Sequence, residues 1–416
     1  MILITKRHSA SVMEAYIERV RSAVRKKLYC ELKNYQGDEN YSERKKLYSF
    51  CSFVNLTRQI GLKPKDLSNE LLVIEKNYPE VIEFYASSFF YRDALSIFSD
   101  GIAIASKNDK LTFDNNIDLL LSSLVEIKLN HNGSCVVDHL IAEVSELQFE
   151  KNRLDISSPR GKLKEQLTKV LSLMKGKDNK DFFPRWVASI PVVYDYEGII
   201  VQELAMSIIE SIGIEVCPYC NINVIKQDGK KDKLRRKYRP SLDHYLPKSR
   251  YPFLALSIYN FIPSCHECNS TRKADYDTYL NEYIYPYILG LCSVGIFEIQ
   301  GLSDVLLRKI HDKLELDDIN LQCNLEGKLE GKEDLFALNY RYMKKNNSRE
   351  KVFPILQSFL DSNKGEVFKI GVNEYTQCEF IERNGSIDLS RPAIKQEFKK
   401  LKIDVINQVY KTNYRV

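Results

Sequence analysis

Apolar residues recur at helical spacing through the first part of the chain. One such stripe consists of Val12, Tyr16, Val20, Val24 and Leu28, which follow one another at one-turn intervals. Ser11 and Glu14 precede it with the spacing of a capping box. Similar patterns, bounded by caps and terminators, predict helices over 43–60, 64–83, 158–176 and about 198–212. Residues 1–180 are therefore predicted to be mainly helical, with these stripes packed into a core.

The last third of the chain has a mixed pattern. Residues 304–314 predict a helix, whereas Phe368, Ile370 and Val372 alternate as in a strand. Asn384-Gly385, between 379–383 and 386–389, is a hairpin turn signal. An amphipathic helix is predicted from Ile394 to Val409. Its solvent face is predicted to carry Lys395, Lys399, Lys400 and Lys402.

Five tyrosines at 276, 279, 283, 285 and 287 form an aromatic cluster before that region. Their spacing favours packing on a core. Stacking on nucleic-acid bases is the alternative, because aromatic side chains near basic ones can hold bases.

Two Cys-x-x-Cys pairs lie in the middle of the chain, Cys217 with Cys220 and Cys265 with Cys268. Two residues between paired thiolates let a turn place both sulfurs on one tetrahedral metal ion, and a second pair completes the four ligands. The spacing predicts a structural zinc site that clamps a long insert at its base. His266, inside the second pair, is not needed for this set. The other cysteines are predicted to be buried core residues.

The insert between the pairs carries polar residues in a suggestive order. Asp243 and His244 are adjacent, so on a strand they point to opposite faces. A second strand is predicted at Leu254–Ile258, and Asn260 follows it in a loop. Asn269 comes directly after Cys268, at the start of a short predicted helix that includes Arg272 and Lys273. The expected order is strand, strand, helix, with a metal ion held between a strand and the helix.

This order resembles that of the HNH endonucleases, the ββα-metal nucleases, in the subclass braced by a four-cysteine zinc. The matching residues are Cys217, Cys220, Asp243, His244, Pro247, Asn260, Pro263, Cys265, Cys268, Asn269 and Lys273. The resemblance covers about residues 214–290. Within the class, the segments Cys217–Asn221, Leu242–Ser249 and Ile262–Cys265 are most similar to HNH nucleases of bacterial anti-phage defence, of the Septu-type and retron-associated kinds.

The resemblance implies a role for each matching position. His244 corresponds to the general base that deprotonates the attacking water, a task that suits an ordinary histidine pKa of about 6.5. Asp243 and Asn269 correspond to ligands of one catalytic ion, and such oxygen ligands favour Mg²⁺ or Mn²⁺. Asn260 corresponds to the residue that orients the loop carrying the histidine. The third motif position is Asn269 rather than histidine, a departure that many members share. Candidate phosphate contacts are Lys248, Arg250, Arg272 and Lys273.

Charge is concentrated near this site. The 416-residue chain has a net charge of only +5, yet ten Lys or Arg and three Asp between Lys226 and Arg250 give that window +7. Such a patch favours a polyanionic partner, DNA or RNA. No apolar run is long enough to span a membrane, and no signal peptide is evident, so a cytoplasmic protein is expected. The chain has no Gly-x-x-x-x-Gly-Lys-Ser/Thr loop, so any ATPase subunit would be a separately encoded partner.

The predicted fold is mainly α with a small α+β insert. The predicted segments are a helical domain over 1–180 for partner or substrate recognition, a connection over 181–213, the nuclease module over 214–290 and an α+β region over 291–416. The predicted function is metal-dependent hydrolysis of nucleic-acid phosphodiester bonds, in DNA more than in RNA, in anti-phage defence. Two alternatives stay open. One is an RNA-cleaving effector or toxin of the same fold, and the other is a non-catalytic zinc module that binds nucleic acid.

Overall fold

The chain forms two compact units. The computed structural model describes residues 1–98, 109–155, 157–175, 180–225, 240–291, 295–309, 312–325, 334–343, 346–364, 379, 381–383 and 387–415. The cysteine unit comprises Met1–Glu14, Ile200–Tyr245 and Tyr259–Val416, and the helical unit comprises Ala15–Ile199 and Leu246–Ile258. In these described ranges the chain is mainly helical with few, short strands, as the sequence predicted. None of the helices in them is long and apolar enough to cross a membrane.

The helices up to Ile199 follow the predicted apolar stripes. They are Ala10–Glu31, Tyr41–Phe50, Phe53–Ile60, Leu67–Asn77, Pro79–Tyr85, Ser87–Phe90, Arg92–Ile97, Lys110–Asn130, Val137–Asn152, Gly161–Met174, Arg185–Ala188, Ile190–Val193 and Tyr196–Ile199. In the first helix the predicted stripe is buried from Tyr16 to Leu28. Gly176, the last residue of the helix predicted over 158–176, lies outside the described residues.

Two helices that the pattern predicted as continuous are each divided in two. The helix expected over 43–60 is interrupted at Cys51 and Ser52, and the Ser52 hydroxyl accepts a hydrogen bond from the Asn55 amide at 3.3 Å as a new N-cap. The helix expected over 64–83 is interrupted before Pro79, because proline lacks the N–H that would continue the preceding helix.

The segment Leu246–Ile258 belongs to the helical unit, although the sequence placed it inside the segment 214–290. Its Phe253 ring lies 6.3 Å from the ring of Phe50, which also contacts Trp186 at 5.6 Å. The Tyr16 hydroxyl donates to the Leu256 carbonyl at 2.8 Å. Burial of these apolar side chains in the aromatic core of the helical unit explains the assignment.

The strand predicted at Leu254–Ile258 is wrong. The structure has 3₁₀ turns at Pro252–Leu254 and Ile258–Asn260, and the second strand begins only at Phe261. Residues 253–256 are all buried, so they lack the alternation between a core face and a solvent face that marks a half-buried strand.

The described part of the cysteine unit has two small antiparallel pairs of strands. β1 (Ser241–His244) pairs with β2 (Phe261–Ser264), and a π-helix over Glu267–Lys273 follows. β3 (Phe297–Ile299) pairs with β4 (Leu321–Cys323). The described helices of this unit include Gln202–Ile212, Leu302–Lys309, Leu338–Met343, Asn346–Lys364 and Lys399–Tyr410. The first of these ends at Gly213, whose left-handed φ of 70° suits glycine.

The lysines of the last helix do not form the predicted solvent face. Lys399, Lys400 and Lys402 are all buried. The Lys399 ammonium donates to the carbonyls of Asp388 and Leu389 at 3.1 and 3.0 Å. Lys400 pairs with Asp404, which also accepts the amides of Ile296 and Phe297 at 2.9 and 3.1 Å. The charges of Lys399 and Lys400 are thus neutralised or solvated by protein groups, which an amphipathic pattern does not reveal.

Other predictions for the C-terminal region have mixed outcomes. Residues 381–383 are helical rather than extended. The strand around Phe368–Val372 and the turn at Asn384-Gly385 lie outside the described residues. Among the clustered tyrosines, Tyr283, Tyr285 and Tyr287 are buried, and the Tyr285 ring stacks on that of Tyr245 at 4.3 Å. Packing, the favoured interpretation, is confirmed for these three.

Candidate metal centre and the adjoining strand pair

The four paired cysteines meet in one buried cluster. Cys217 and Cys220 lie on a tight turn, in which the Cys217 carbonyl accepts the Asn221 amide at 2.8 Å. Cys265 follows β2 and Cys268 lies in the π-helix, which brings the second pair to the first. The four sulfurs all lie within 4.8 Å of one another and form no disulfide. His266 is exposed and takes no part in the cluster.

This spacing fits a tetrahedral thiolate site. Zn–S bonds of about 2.3 Å place sulfurs about 3.8 Å apart around a central ion. Hydrogen bonds from the thiols of Cys217, Cys220 and Cys268 lower the pKa of Cys265, whereas burial raises the pKa of Cys217. Four mutually adjacent sulfurs are the ligand set of a structural zinc site. The cluster could therefore hold a metal ion such as zinc.

Donor groups outside the cluster point at three of the sulfurs. The Ile222 amide lies 3.4 Å from the Cys220 sulfur, and the Asn223 side-chain amide lies 3.2 Å from that of Cys265. Arg341 lies 3.1 Å from the Cys268 sulfur and pairs with Glu267 at 2.9 Å. N–H donors of this kind stabilise thiolates and hold them in position. They are the groups that surround the ligands in a metal centre.

Asn221 joins the first cysteine turn to the C-terminal helix. It has a left-handed φ of 53°, a conformation that asparagine tolerates better than most residues. Its side-chain amide donates to the carbonyls of Ala393 and Gln396 at 3.1 and 3.0 Å. Its side-chain oxygen accepts the Lys400 amide at 3.1 Å and so caps the helix Lys399–Tyr410 from a distant part of the chain.

We expect Asn221→Ala to destabilise the cysteine unit by about 2–4 kcal/mol. The substitution removes three hydrogen bonds, and alanine tolerates the left-handed backbone at this position less well than asparagine does. The measurement is denaturant unfolding of the zinc-loaded protein. Asn221→Gly is the matched variant, since glycine relieves the backbone cost but also loses the bonds. A loss of stability for alanine and none for glycine would show that the three hydrogen bonds contribute nothing.

A buried polar network surrounds Asp243 on β1. The Tyr219 hydroxyl donates to one carboxylate oxygen at 2.5 Å, and the Lys273 ammonium lies 3.3 Å from the other. Lys273 also donates to the His244 carbonyl at 2.6 Å. Asp243 and Lys273 are each only 2% exposed. Burial raises the pKa of the Asp243 carboxyl, and the nearby Lys273 and Tyr219 oppose that rise.

His244 ends β1, where its neighbours differ from those of Asp243. It is paired with Phe261 across the strands, and the two rings lie 5.3 Å apart. Its side chain is 8% exposed. The next residue, Tyr245, donates its amide to the carbonyl of the fully buried Asn260 at 2.9 Å. The Asn260 backbone is thus tied to the residue that follows the histidine.

The predicted phosphate contacts have different surroundings. In the helical unit, Lys248 pairs with Glu197 and lies 4.9 Å above the Tyr196 ring, and Arg250 is partly exposed. In the cysteine unit, Arg272 is partly exposed and lies 3.6 Å from Glu267. Lys273, by contrast, is buried against Asp243 and the His244 carbonyl, so its ammonium faces protein oxygens rather than a phosphate. Residues 226–239, most of the +7 window, lie outside the described residues.

The predicted divalent site at Asp243 and Asn269 has suitable donors but an unsuitable arrangement. Carboxylate and amide oxygens are ligands that Mg²⁺ and Mn²⁺ accept. However, each oxygen of Asp243 already receives a donor, and one donor is a cation. An ion placed beside that ammonium would be repelled. Among the described residues, the four cysteines are the only group of three or more His, Cys, Asp or Glu ligands close enough to share an ion. The Asp243 carboxylate does not fit a divalent ion as it stands.

Sequence reasoning missed several residues of this region. Tyr219 and Asn221 lie within or directly after the first Cys-x-x-Cys pair, so their positions were a usable signal. Arg341 is 73 residues from Cys268 and carried no local signal. Comparisons with protein family models, with curated proteins and with solved structures find no match for the chain.

Proposed function

We propose that this chain is an HNH-type endonuclease that hydrolyses phosphodiester bonds of nucleic acid, DNA more than RNA, with zinc in its four-cysteine centre. The observation that carries the proposal is the order of elements at that centre. The cluster joins the first cysteine turn to the end of β2 and to the π-helix, and Asp243-His244 lies at the end of β1 beside them. Strand, strand and helix thus occur in the order that the resemblance implies.

His244 is the proposed general base, which takes a proton from the attacking water. Its carbonyl is held by Lys273 and its ring packs on Phe261, so its position is defined by buried groups on two sides. A positioned base is more effective than a mobile one, because the cost of orienting it is met during folding. The divalent ion that the resemblance places on Asp243 and Asn269 would stabilise the leaving oxygen. Because Asp243 does not fit that ion as it stands, we assign no step to it.

The test of the proposal is cleavage of plasmid, single-stranded DNA and tRNA by the purified protein. We expect plasmid or single-stranded DNA to be cut. Cleavage of tRNA alone would favour the RNA-cleaving effector. The assay is repeated with the partner ATPase if the neighbouring genes encode one. Binding of all three substrates without cleavage in either assay would favour the non-catalytic zinc module. The pair Asp243-His244 supports an enzyme, since binding alone requires neither residue.

The resemblance also suggests a role in anti-phage defence with a separately encoded ATPase subunit. Its test is phage plating on cells that carry the chain with its neighbouring genes, compared with cells that carry the His244→Ala variant. Protection that survives the substitution would show that nuclease activity is not its basis.

Binding should weaken steeply with salt if the window from Lys226 to Arg250 contacts phosphates, because each neutralised phosphate releases a counterion. We expect the combined change of Arg235, Arg236 and Lys237 to glutamine to reduce the slope of log affinity against log salt, by about 0.9 for each phosphate that the variant no longer neutralises. The matched control changes three exposed lysines of the helical unit, Lys162, Lys169 and Lys175, to glutamine. Equal slopes for both triple variants would show that the window makes no specific contribution.

A further inference from the structure

A buried ammonium lies beside the carboxylate that is proposed to bind the catalytic ion. Lys273 contacts two oxygens, Oδ1 of Asp243 at 3.3 Å and the carbonyl of His244 at 2.6 Å. The second carboxylate oxygen of Asp243 accepts a hydrogen bond from the Tyr219 hydroxyl. The Tyr219 ring is stacked on that of Phe336, with 4.4 Å between the ring centroids. The Asp243 charge is therefore balanced by protein groups.

The backbone around Lys273 is unusual. Lys273 is the last residue of the π-helix, a rare structure that is found frequently at functional sites. The Ala274 amide closes a wide turn onto the Asn269 carbonyl at 2.8 Å. Ala274 has φ 46° and ψ −115°, a combination that is sparsely populated for a residue other than glycine. The position of Lys273 thus depends on a turn whose backbone angles are unfavourable for the residues in it, so the surrounding structure must stabilise that turn.

We propose that Lys273 is an internal counter-cation that competes with a divalent ion for the Asp243 carboxylate. With the ammonium in place, the carboxylate is closed to an ion and the strand end that carries His244 is fixed. The proposal rests on the proposed nuclease function for the choice of a divalent ion, and it can be tested without any nucleic acid.

The physical basis is electrostatic competition in a place with little water. Two unit charges about 4 Å apart interact several-fold more strongly in a partly buried site than in bulk water. A buried carboxylate that loses its cationic partner is strongly destabilising. A second cation restores the balance. Removal of the ammonium should therefore lower the stability of the fold, and an added divalent ion should restore it.

The experiment compares Lys273→Met with the wild type and with the double variant Asp243→Asn plus Lys273→Met, all loaded with zinc. Mn²⁺ binding is measured by electron paramagnetic resonance, and melting temperature is measured with and without Mn²⁺. Mn²⁺ is a suitable probe because it prefers oxygen ligands and does not compete well for thiolates. We expect Lys273→Met to bind Mn²⁺ roughly 100-fold more tightly than the wild type, because the competing charge beside the carboxylate is gone. It should melt lower without Mn²⁺ and recover with it.

The double variant decides between competition and a purely structural pair. Its side chain at position 243 is a neutral amide, so it should show neither the tight Mn²⁺ binding nor the recovery. If Lys273→Met binds Mn²⁺ no better than the wild type, the proposal is wrong. If Lys273→Met stays unfolded with Mn²⁺ while the double variant folds, Asp243 requires an ammonium specifically, and the proposal is again wrong. A wild type that cuts no substrate would overturn the nuclease function but would leave this comparison valid.

Discussion

Replacement of Cys265 by serine should abolish zinc binding and unfold the cysteine unit. The binding free energy of a structural zinc site is folding free energy, about 10–16 kcal/mol in zinc-finger peptides at neutral pH. That is as large as the roughly 5–15 kcal/mol that separates a typical folded domain from its unfolded state. The Cys265 sulfur lies within 4.8 Å of the other three, and the site joins β2, the π-helix and the first cysteine turn. Loss of one thiolate therefore releases three elements from one another.

The measurements are zinc content per chain and thermal unfolding. The wild type should contain about one zinc per chain, since four thiolates complete one tetrahedral site. The variant should contain little zinc and melt without a cooperative transition from this unit. Cys30→Ser is the matched control, because Cys30 belongs to the helical unit and is exposed, so its predicted core position is wrong. A wild type without zinc, or a Cys265→Ser variant as stable as Cys30→Ser, would remove the basis for a metal centre.

Replacement of His244 by alanine should lower the cleavage rate by roughly 10²- to 10⁴-fold, which is the usual contribution of a positioned general base. The change removes one imidazole at the end of β1 and leaves the zinc ligands untouched. The Asp243–Lys273 pair and the Lys273 bond to the residue-244 carbonyl also persist, because that bond involves the backbone. Zinc content, melting temperature and nucleic-acid binding should therefore change little.

The chain offers a close control for this variant. Asp138-His139 has the same two letters as Asp243-His244, but it lies on the helix Val137–Asn152, with His139 exposed and 3.8 Å from Glu143. His139→Ala should cleave like the wild type. Equal cleavage by His244→Ala and the wild type, on a substrate that the wild type degrades, would mean that His244 is not the base. If His244→Ala lost nucleic-acid binding along with cleavage, the histidine would have a structural role instead.

Local patterns predicted the elements whose stability depends on their own residues. The stripe from Tyr16 to Leu28 forms the buried face of a helix, because residues four apart share one side of it. The placement of Asp243 and His244 on a strand is also confirmed, because both lie in β1. The breaks at Ser52 and Pro79 could also have been predicted, because each carries a local signal for a new helix.

Predictions failed where the same pattern of apolar or charged residues is compatible with more than one tertiary structure. Residues 254–258 have a large apolar residue at every second position, as a half-buried strand does, but all five are buried and 3₁₀ turns form at both ends of the segment. The lysines of the last helix were predicted to face water because a charged ammonium group is costly to bury without a partner. Backbone carbonyls near Lys399 and the Asp404 carboxylate near Lys400 offered buried alternatives that no helical pattern encodes.

The sequence by itself determined the four cysteines of the candidate centre and the polar residues that accompany them, because thiolate spacing is a local requirement that a short turn can satisfy. Only the tertiary structure decided what surrounds those residues. It brought Arg341 to Cys268, Asn221 to the C-terminal helix, and Lys273 to Asp243. These partners come from distant elements, and each buried polar group requires one because an unpaired charge or hydrogen-bonding group is costly away from water. The ligand types at Asp243 were thus readable from the sequence, whereas the cation that already neutralises this carboxylate was visible only in the folded chain.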